Sequence, residues 1–591
     1  MNIRVRQYWK LFATYLHFQR SRVFWLAVTL LGSIALQLIN PQVLANFIDA
    51  AVAGESTQTL LQTALLFLAI ALLTQGTTLA ATYFSELVAW TATNALRLDL
   101  ADHCLRLDLS FHKNSTSGEL VERVDGDVNT LSRFFSEFIL YVISNLILLL
   151  GILIVLWFTD WRAGFGLTAF TLLAIALLLR LQSIALTSWI EYRQINANFF
   201  GFLSEHLAAT EDLRANGAIE YVMRRFYHLL QRWLPLFHRA RWGGTLLWSA
   251  TVGLFAIGNA IALSIGAYLW SRQEISIGTV YLIFSYTSLL QDPIEQIRAQ
   301  LEDFQQAEAS IHRIQELFNV RSRLTAGGDR TLPAGALSVT FDRISFRYPE
   351  AIESNFYSLR DLSFELPAGQ VLGLLGRTGS GKTTIARLLL RLYDVESGHL
   401  RLGGVDIDQV AIAQLPQQIG LVTQDVQLFQ TTIRNNLTFF NPQIHDAEIL
   451  RALAWLELLP WLESLPQGLD TPLGADNGGL SAGQAQLLAF VRVFLKNPGL
   501  VILDEASSRL DPLTEKLVEG AIDRLLHNRT GIIIAHRLST VQRADRILIL
   551  EAGQRVEFGD RITLAKHPQS RFAQLLKAGS IDPLGLTGGD I

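Results

Sequence analysis

"VLGLLGRTGSGKTTIARLLLRLY", Val371–Tyr393, is the stretch that decides how this chain folds. Val371–Leu375 is an unbroken apolar run, bounded like a buried strand. "GRTGSGKT" (376–383) follows at once, and "TIARLLLRLY" then has the apolar spacing of a helix. The pattern G-x-x-x-x-G-K-T between a strand and a helix is a phosphate-binding loop in its required context. Gly376, Gly379 and Gly381 let the backbone wrap a phosphate. Arg377, Thr378 and Ser380 complete the loop, whose N–H groups act together with the helix N-terminus on the negative charge. Lys382 is placed to pair with β- and γ-phosphates, Thr383 to ligate Mg²⁺, and Thr384 to extend the cradle. The expectation is an α/β nucleotide-binding domain for ATP and Mg²⁺.

Further pieces of such a site lie downstream. "LVILDE" (500–505) is an apolar strand ending in two carboxylates. Asp504 is suited to holding Mg²⁺ through a water, and Glu505 to polarising the attacking water as general base. The plainer alternative, acids capping the next helix, leaves the phosphate loop without a metal partner. "GIIIAH" (531–536) is a third strand and ends in His536. At the end of a strand in a parallel nucleotide-binding sheet, His536 is expected near the γ-phosphate rather than in a packing role.

The rest of the chain has a different chemistry. Of 591 residues, 50% are hydrophobic and 17% charged, and the mean hydropathy is +0.29. That is too apolar for a soluble enzyme of this length, so a membrane part is expected in the first 310 or so residues. Six spans are expected, from about Val23, Leu60, Phe138, Trp161, Leu246 and Ile275. The segments carrying Arg4–Arg22, Arg97–Arg133 and Arg193–Arg241 are basic, whereas the alternate loops near Glu55, Asp160 and Arg272 are short and nearly free of positive charge. By the positive-inside rule both termini, the two long loops and the nucleotide domain are cytoplasmic, in a multi-pass protein of the plasma membrane. The basic N-terminus runs into a long apolar segment and reads as a retained anchor. Gln37, Asn40, Gln75, Asn145 and Asn259 fall inside the spans and either line a cavity or hydrogen-bond between helices. Pro41 and Pro293 are expected to bend or interrupt their helices. The single cysteine, Cys104, excludes an internal disulfide and reads as a small packing residue. The net charge of −4 gives no pointer to nucleic acid.

Taken together, the motifs closely resemble an ATP-binding cassette (ABC) half-transporter of the exporter type. In "VTQDVQLF" (422–429), Gln424 matches the family's Q-loop glutamine, which implies a role in catalysis and at the metal. "LSAGQ" (480–484) matches the signature, "SRLD" (508–511) the D-loop and His536 the switch histidine. Tyr348, in "FRYPE", stands where the family's adenine-stacking aromatic lies. All appear in family order over roughly 200 residues. In the membrane half, "LSFHKNSTSGELVERVDGDVNTL" (109–131) and "SEHLAATEDLRANGA" (204–218) resemble the two cytoplasmic coupling loops. "SLLQDPIEQI" and "HRIQELF" resemble the end of the sixth helix. The implied organisation is an all-α six-helix transmembrane domain (1–320), a linker (321–337), a cassette (338–578) and a C-terminal tail (579–591).

The resemblance also explains a second helix start. "LSAGQAQLLAFVRVF" (480–494) has a serine at the N-cap position before small residues and an apolar run. In the family this helix faces the nucleotide held by the other subunit. Ser481, Gly483, Gln484 and the D-loop Asp511 are therefore expected at a partner's nucleotide, and dimerisation follows. The usual signature is LSGGQ, often followed by a basic residue; here Ala482 and Ala485 stand at those two positions. Both a homodimer and a heterodimer with a paralogous half-transporter are compatible with that departure. The expected function is ATP-driven export of an amphipathic or hydrophobic substrate by alternating access, by an ATPase resident in the lipid bilayer. An ATP-gated channel or regulatory protein and an importer with an exporter-like fold are the alternatives. A soluble ABC ATPase acting on nucleic acid is excluded by the membrane half.

Overall fold

The computed structural model describes residues 15–325, 327–349, 356–474, 480–504, 512–535 and 540–580. It divides into two compact units: Met1–Leu105 with Ser117–Asn319, and Arg106–Thr116 with Val320–Ile591.

The first unit is helical. Among the described residues, five helices are long and apolar enough to cross a membrane: α1 (Arg20–Val52), α2 (Thr57–Arg106), α4 (Ser117–Thr159), α5 (Trp161–Ala208) and α7 (Ile219–Ser271). At 1.5 Å per residue the 53 residues of α7 extend about 80 Å, far beyond a hydrocarbon core of about 30 Å. The sixth expected span is different. It consists of α8 (Ile277–Leu289), 13 residues long, and α9 (Gln291–Asn319), with a break at Leu290. Alone, α8 is about 20 Å long and falls short of a bilayer. Pro293 sits in the first turn of α9, where its missing N–H costs no helical bond, so the interruption lies just before it. Pro41, by contrast, does not interrupt α1. One turn before it, the Tyr286 hydroxyl donates to the Leu38 carbonyl (2.6 Å), and Gln42 donates to that hydroxyl (3.1 Å). A proline weakens the helical bonds at that level, and the buried tyrosine supplies a donor there.

The helices enclose a core of Ile152, Leu156, Leu167, Phe170, Phe255, Ile283 and neighbours. Many large apolar side chains face outward instead, among them Leu72, Leu79, Phe158 and Leu172. In water such a surface would be costly; against lipid tails it is the solvated face. Polar side chains in the spans bond largely to the helices themselves. Gln37 donates to Ser33, Asn145 to the Tyr141 carbonyl, and Ser288 to Asn259. Asn40 Oδ1 is buried without a partner among the described residues. In its N-terminal half α4 contains two π-turns, Glu122–Gly126 and Phe138–Ile143. Between them buried Asp127 receives Arg313 of α9 through both carboxylate oxygens. The hairpin of α5 and α7 is held by a ladder of rings, with Tyr192 against Trp233 (5.8 Å) and Phe199 against Phe226 (5.7 Å). It carries the short helix α6 (Thr210–Ala215) at its tip.

The second unit is an α/β cassette. Strands β1 (Val339–Phe346), β2 (Leu359–Leu366), β4 (Ser397–Leu402) and β5 (Val405–Asp406) form an antiparallel sheet in the order β2-β1-β4-β5. A six-stranded sheet has the order β10-β9-β3-β8-β7-β6, from β3 (Val371–Leu375), β6 (Ile419–Val422), β7 (Leu500–Asp504), β8 (Thr530–Ile534), β9 (Arg546–Glu551) and β10 (Gln554–Asp560). Its strands pair in parallel except β10 against β9. β3 and β8 are buried along their whole length, as their continuous apolar runs require. Helix α10 (Lys382–Leu389) shares one core with both sheets, and α13 (Ala482–Lys496) with α14 (Pro512–Leu526) covers the other face of the large sheet. Between β6 and α13 come α11 (Ile433–Thr438) and α12 (Asp446–Trp455).

The glycine-rich segment expected as a linker is bonded to the cassette. Gly328 and Arg330 donate backbone N–H groups to Asp408 and Gln409. A Cβ on Gly327 would lie 2.3 Å from the Val410 carbonyl, so glycine there serves close approach rather than flexibility. The short helix α3 (Leu109–Asn114) belongs to this unit too. Its N-cap Asp108 accepts from the Ser110 and Phe111 amides and, through its other oxygen, from the Arg323 amide (2.6 Å). Burial opposes the Asp108 charge, but the Ser110 hydroxyl and these amides hold its carboxyl below the ordinary value.

Candidate active site

The loop after β3 is shaped by its glycines. Gly376 and Gly381 have φ of 148° and 105°. A Cβ would come within 2.3 Å of the Leu550 carbonyl at the first and 2.7 Å of the Ser358 carbonyl at the second. Neither position can carry a side chain. Within the loop the Ser380 amide donates to the Arg377 carbonyl (3.0 Å). Ser380 is 4% exposed, and its Oγ has no partner among the described residues. An orphaned hydroxyl in a glycine-walled loop fits an anion with acceptor oxygens. Lys382 is buried, its Nζ donating to the Gly376 (2.5 Å) and Arg377 (3.2 Å) carbonyls. The ammonium is thus held across the loop mouth. Helix α10 starts on Gly381 with no side-chain cap.

The loop opens into a cleft of about 570 Å³ lined by Tyr348, Gly379, Lys382, Thr383, Gln424 and Asp504, among others. Sheet register explains this convergence. Leu374 of β3 and Asp504 of β7 both pair with Ile534 of β8, so the three parallel strands end at one level. In a parallel sheet the ligand crevice lies outside those carboxyl ends. Thr383, Gln424 and Asp504 offer a hydroxyl, an amide and a carboxylate to the same space. All are hard oxygen donors, the set a small divalent cation takes. The Tyr348 hydroxyl is bonded to Thr384 Oγ1 (3.0 Å) and receives Arg387 (3.0 Å).

Helix α13 begins differently. Ser481 Oγ accepts from the Gln484 amide (3.2 Å), and Gln484 Oε1 accepts from the Ser481 amide (3.0 Å), a complete capping box. Ala482 is exposed, whereas Ala485 is only 2% exposed against the core. A basic side chain at 485 would have to displace that packing. Arg492, farther along α13, donates to the Gln427 (3.0 Å) and Asn436 (2.8 Å) carbonyls, so the signature helix is tied to the segment following Gln424.

Comparison with known proteins agrees with this geometry. The ABC transporter transmembrane region matches residues 23–294, and the ABC transporter domain matches 359–508. The chain belongs to the ABC transporters. Full-length relatives include the uncharacterised ABC transporter ATP-binding protein YknV of Bacillus subtilis, 27% identical over 94% of this chain and 91% of the relative. ATP-dependent lipid A-core flippase 1 of Colwellia psychrerythraea is 27% identical over 93% and 92%. A bacterial Atm1-family ABC exporter solved with ATP bound superposes with a TM-score of 0.78, at 25% identity over 96% of this chain and 99% of that one. The chain is thus a multi-pass membrane protein with an ATP-binding cassette, an ATPase coupled to transport. Its single membrane domain and single cassette make it a half-transporter that works as a dimer.

Within this ABC cassette the structure brings Tyr348, Thr378, Gly379, Gly381, Lys382, Thr383, Thr384, Gln424 and Asp504 to one cleft, and Gly376, Arg377 and Ser380 belong to the same loop without lining it. Ser481, Gly483 and Gln484 lie at the start of α13. Glu505, Asp511 and His536 lie outside the described residues. Sequence reasoning missed Arg387, whose position three residues after Thr384 puts both on one face of α10. It also missed Arg391 and Arg492, whose partners are distant in the chain.

Proposed function

We propose that this chain is one half of an ATP-driven exporter that moves an amphipathic, lipid-like solute across the plasma membrane, with its termini and cassette on the cytoplasmic side. The observation that carries the reading is the cleft of about 570 Å³ that Lys382, Thr383, Gln424 and Asp504 line together. The loop amides and Lys382 bind and orient the triphosphate. Thr383, Gln424 and Asp504 are the residues to hold Mg²⁺, which when bound neutralises charge building on the phosphate oxygens. Glu505, adjacent to Asp504 in sequence, takes the proton of the attacking water, and His536 steadies the γ-phosphate side. The partner's signature helix, begun by its own Ser481 equivalent, excludes water from the open side of the site. Closure of two cassettes then drives the membrane helices from one access to the other. Two relatives named as lipid A-core flippases, at 27% and 29% identity, and the low count of charges within the spans support an amphiphile as cargo.

The test is Mg²⁺-dependent ATP hydrolysis by the chain purified alone in lipid, beside Glu505→Gln. Turnover that the variant loses while still binding ATP identifies Glu505 as the base and a second copy of this chain as the partner. Folded wild-type protein that binds ATP without turning it over identifies a paralogous half as the partner. Retained full turnover in Glu505→Gln overturns the assignment of the base. Uphill movement of a lipid-like solute in sealed vesicles separates an exporter from an ATP-gated channel.

A further inference from the structure

We propose that Arg387 of α10 is a positioning residue for the nucleotide base: it holds the hydroxyl of Tyr348, so that the ring stands in the cleft at a set place relative to the phosphate loop. The inference rests on the base-stacking reading of Tyr348 and adds the residue that sets the ring. Tyr348 lies two residues beyond the end of β1, outside the sheet. Its hydroxyl reaches α10 instead, bonded to Thr384 Oγ1 (3.0 Å) and receiving Nη1 of Arg387 (3.0 Å). Thr384 and Arg387 are three residues apart and share one face of that helix. The phenol oxygen accepts from Arg387, which leaves its proton for Thr384, and the positive donor strengthens the pair. The Arg387 Cζ is 5.7 Å from the ring centroid, so the guanidinium meets the ring from its hydroxyl end. The Phe346 and Tyr393 rings stand at 81° and 86° to Tyr348, and neither stacks flat on it.

Helix α10 also carries Lys382 and Thr383, and these side chains line one cleft together with Tyr348 and Arg387. A ring tied to this helix keeps one distance from the loop that takes the phosphates. An aromatic side chain left untied beyond a strand end would have to be ordered when the base arrives, which weakens binding; a ring held beforehand avoids that loss. Among the described residues no carboxylate pairs with the Arg387 guanidinium, and the Tyr348 hydroxyl is its hydrogen-bond acceptor. The bond to the base platform is therefore the polar contact that this arginine makes in the cleft.

The experiment measures dissociation constants of the full-length chain in lipid for AMP-PNP and for inorganic tripolyphosphate, without Mg²⁺. Tripolyphosphate binding shows that the loop is intact in each variant, and the ratio of the two constants isolates the nucleoside part. Arg387→Met is expected to shift the ratio about threefold against AMP-PNP. Tyr348→Phe, which keeps the ring and loses the hydroxyl, should shift it about as much. Because Arg387 acts through that hydroxyl, the double variant should be no worse than Tyr348→Phe alone. Arg387→Lys keeps a charged donor for the hydroxyl and should retain most of the native ratio. Three results overturn the role of Arg387: an unchanged ratio in Arg387→Met, equal weakening of both ligands, or shifts that multiply in the double variant. Tyr348→Leu tests the reading beneath it, with an expected shift of at least about fivefold against AMP-PNP, the loss of one stacked base. No change there overturns the base-stacking reading itself.

Discussion

Helices α10 and α13 both begin where the family's chemistry calls for a phosphate, yet they begin in opposite ways. α10 starts on a left-handed glycine with no side-chain cap, behind a buried serine hydroxyl that has no partner. α13 starts on a serine and a glutamine that satisfy each other's amides. An uncapped helix start costs stability and persists where a ligand supplies the acceptors. α10 is thus unfinished without its own nucleotide. α13 is a finished helix in the single chain, and only the amides of Ala482 and Gly483 are left outside its box for a partner's phosphate. The comparison extends to how each helix is anchored. Just beyond α10, fully buried Arg391 donates to Asp394 (2.9 Å) and to the Thr325 carbonyl (3.0 Å), binding the linker. On α13 the corresponding tie is Arg492, whose carbonyl partners are Gln427, in the loop that follows Gln424, and Asn436 of α11.

The largest effect is expected at the unfinished helix. Lys382→Met removes the ammonium held across the loop mouth, and turnover should fall by two to three orders of magnitude, about what loss of a transition-state charge donor costs. Phosphate-release kinetics on lipid-reconstituted protein check this, and a loss under tenfold would mean that α10 is not the site of hydrolysis. Next come the anchors. Arg492→Met removes the donor to the carbonyl of buried Asn436 and frees the exposed Gln427 segment, and should cost about 1–3 kcal/mol in local stability. Hydrogen exchange should show faster opening of α13 and of residues 425–438, with α10 unaffected. Arg391→Met should loosen α10 and the 325–330 segment by a similar amount while sparing α13. If either variant opens both helices equally, the two ends do not have separate anchors.

How far the sequence carried these readings depends on how local each feature is. The loop at 376–384, its flanking strand and helix, and the cap at Ser481 are written within a few residues, so they are legible. Continuous burial of β3 and β8 is legible for the same reason. The break of the sixth span is legible in Pro293, though the proline alone does not show that it falls at Leu290, a turn before it. The bound linker reads as flexible because glycine serves flexibility and close approach alike, and only the neighbouring Val410 carbonyl decides between them. Arg492, and Arg391 in its tie to Thr325, reach partners tens of residues away, and nothing in a local pattern announces those contacts.

A smaller effect separates the two duties of Ser481. Ser481→Ala removes the cap and should cost about 1 kcal/mol of stability. Ser481→Asp keeps an acceptor for the Gln484 amide, so thermal stability should stay near that of the native chain, but it sets a carboxylate against a partner's phosphate. Turnover should then fall in the aspartate variant more than in the alanine variant. The reverse order in a paired melting and hydrolysis series would leave α13 as a structural helix only.

The smallest expected difference is in acid, and it distinguishes the anchors by sign. Burial opposes the charge on Asp394, but bonds from Arg391 and from the Thr325 amide and hydroxyl outweigh it and hold its carboxyl below the ordinary 3.8. A carboxylate depressed on folding stabilises at pH above that ordinary value, and the contribution fades as pH falls through the folded one. Around α13 the perturbed groups are bases: burial pushes Arg492 down to about 10 and lowers Lys496. Both stay charged throughout the acid range, so their folded and unfolded forms bind the same number of protons there and no stability is lost through them. Lowering the pH below 3.8 should therefore accelerate exchange in α10 and the 325–330 segment, after correction for intrinsic rates, before α13 responds. Asp394→Asn should abolish that order by loosening the α10 end at neutral pH already. Simultaneous opening of both helices in the native chain would show that Asp394 is not what holds α10 apart from α13.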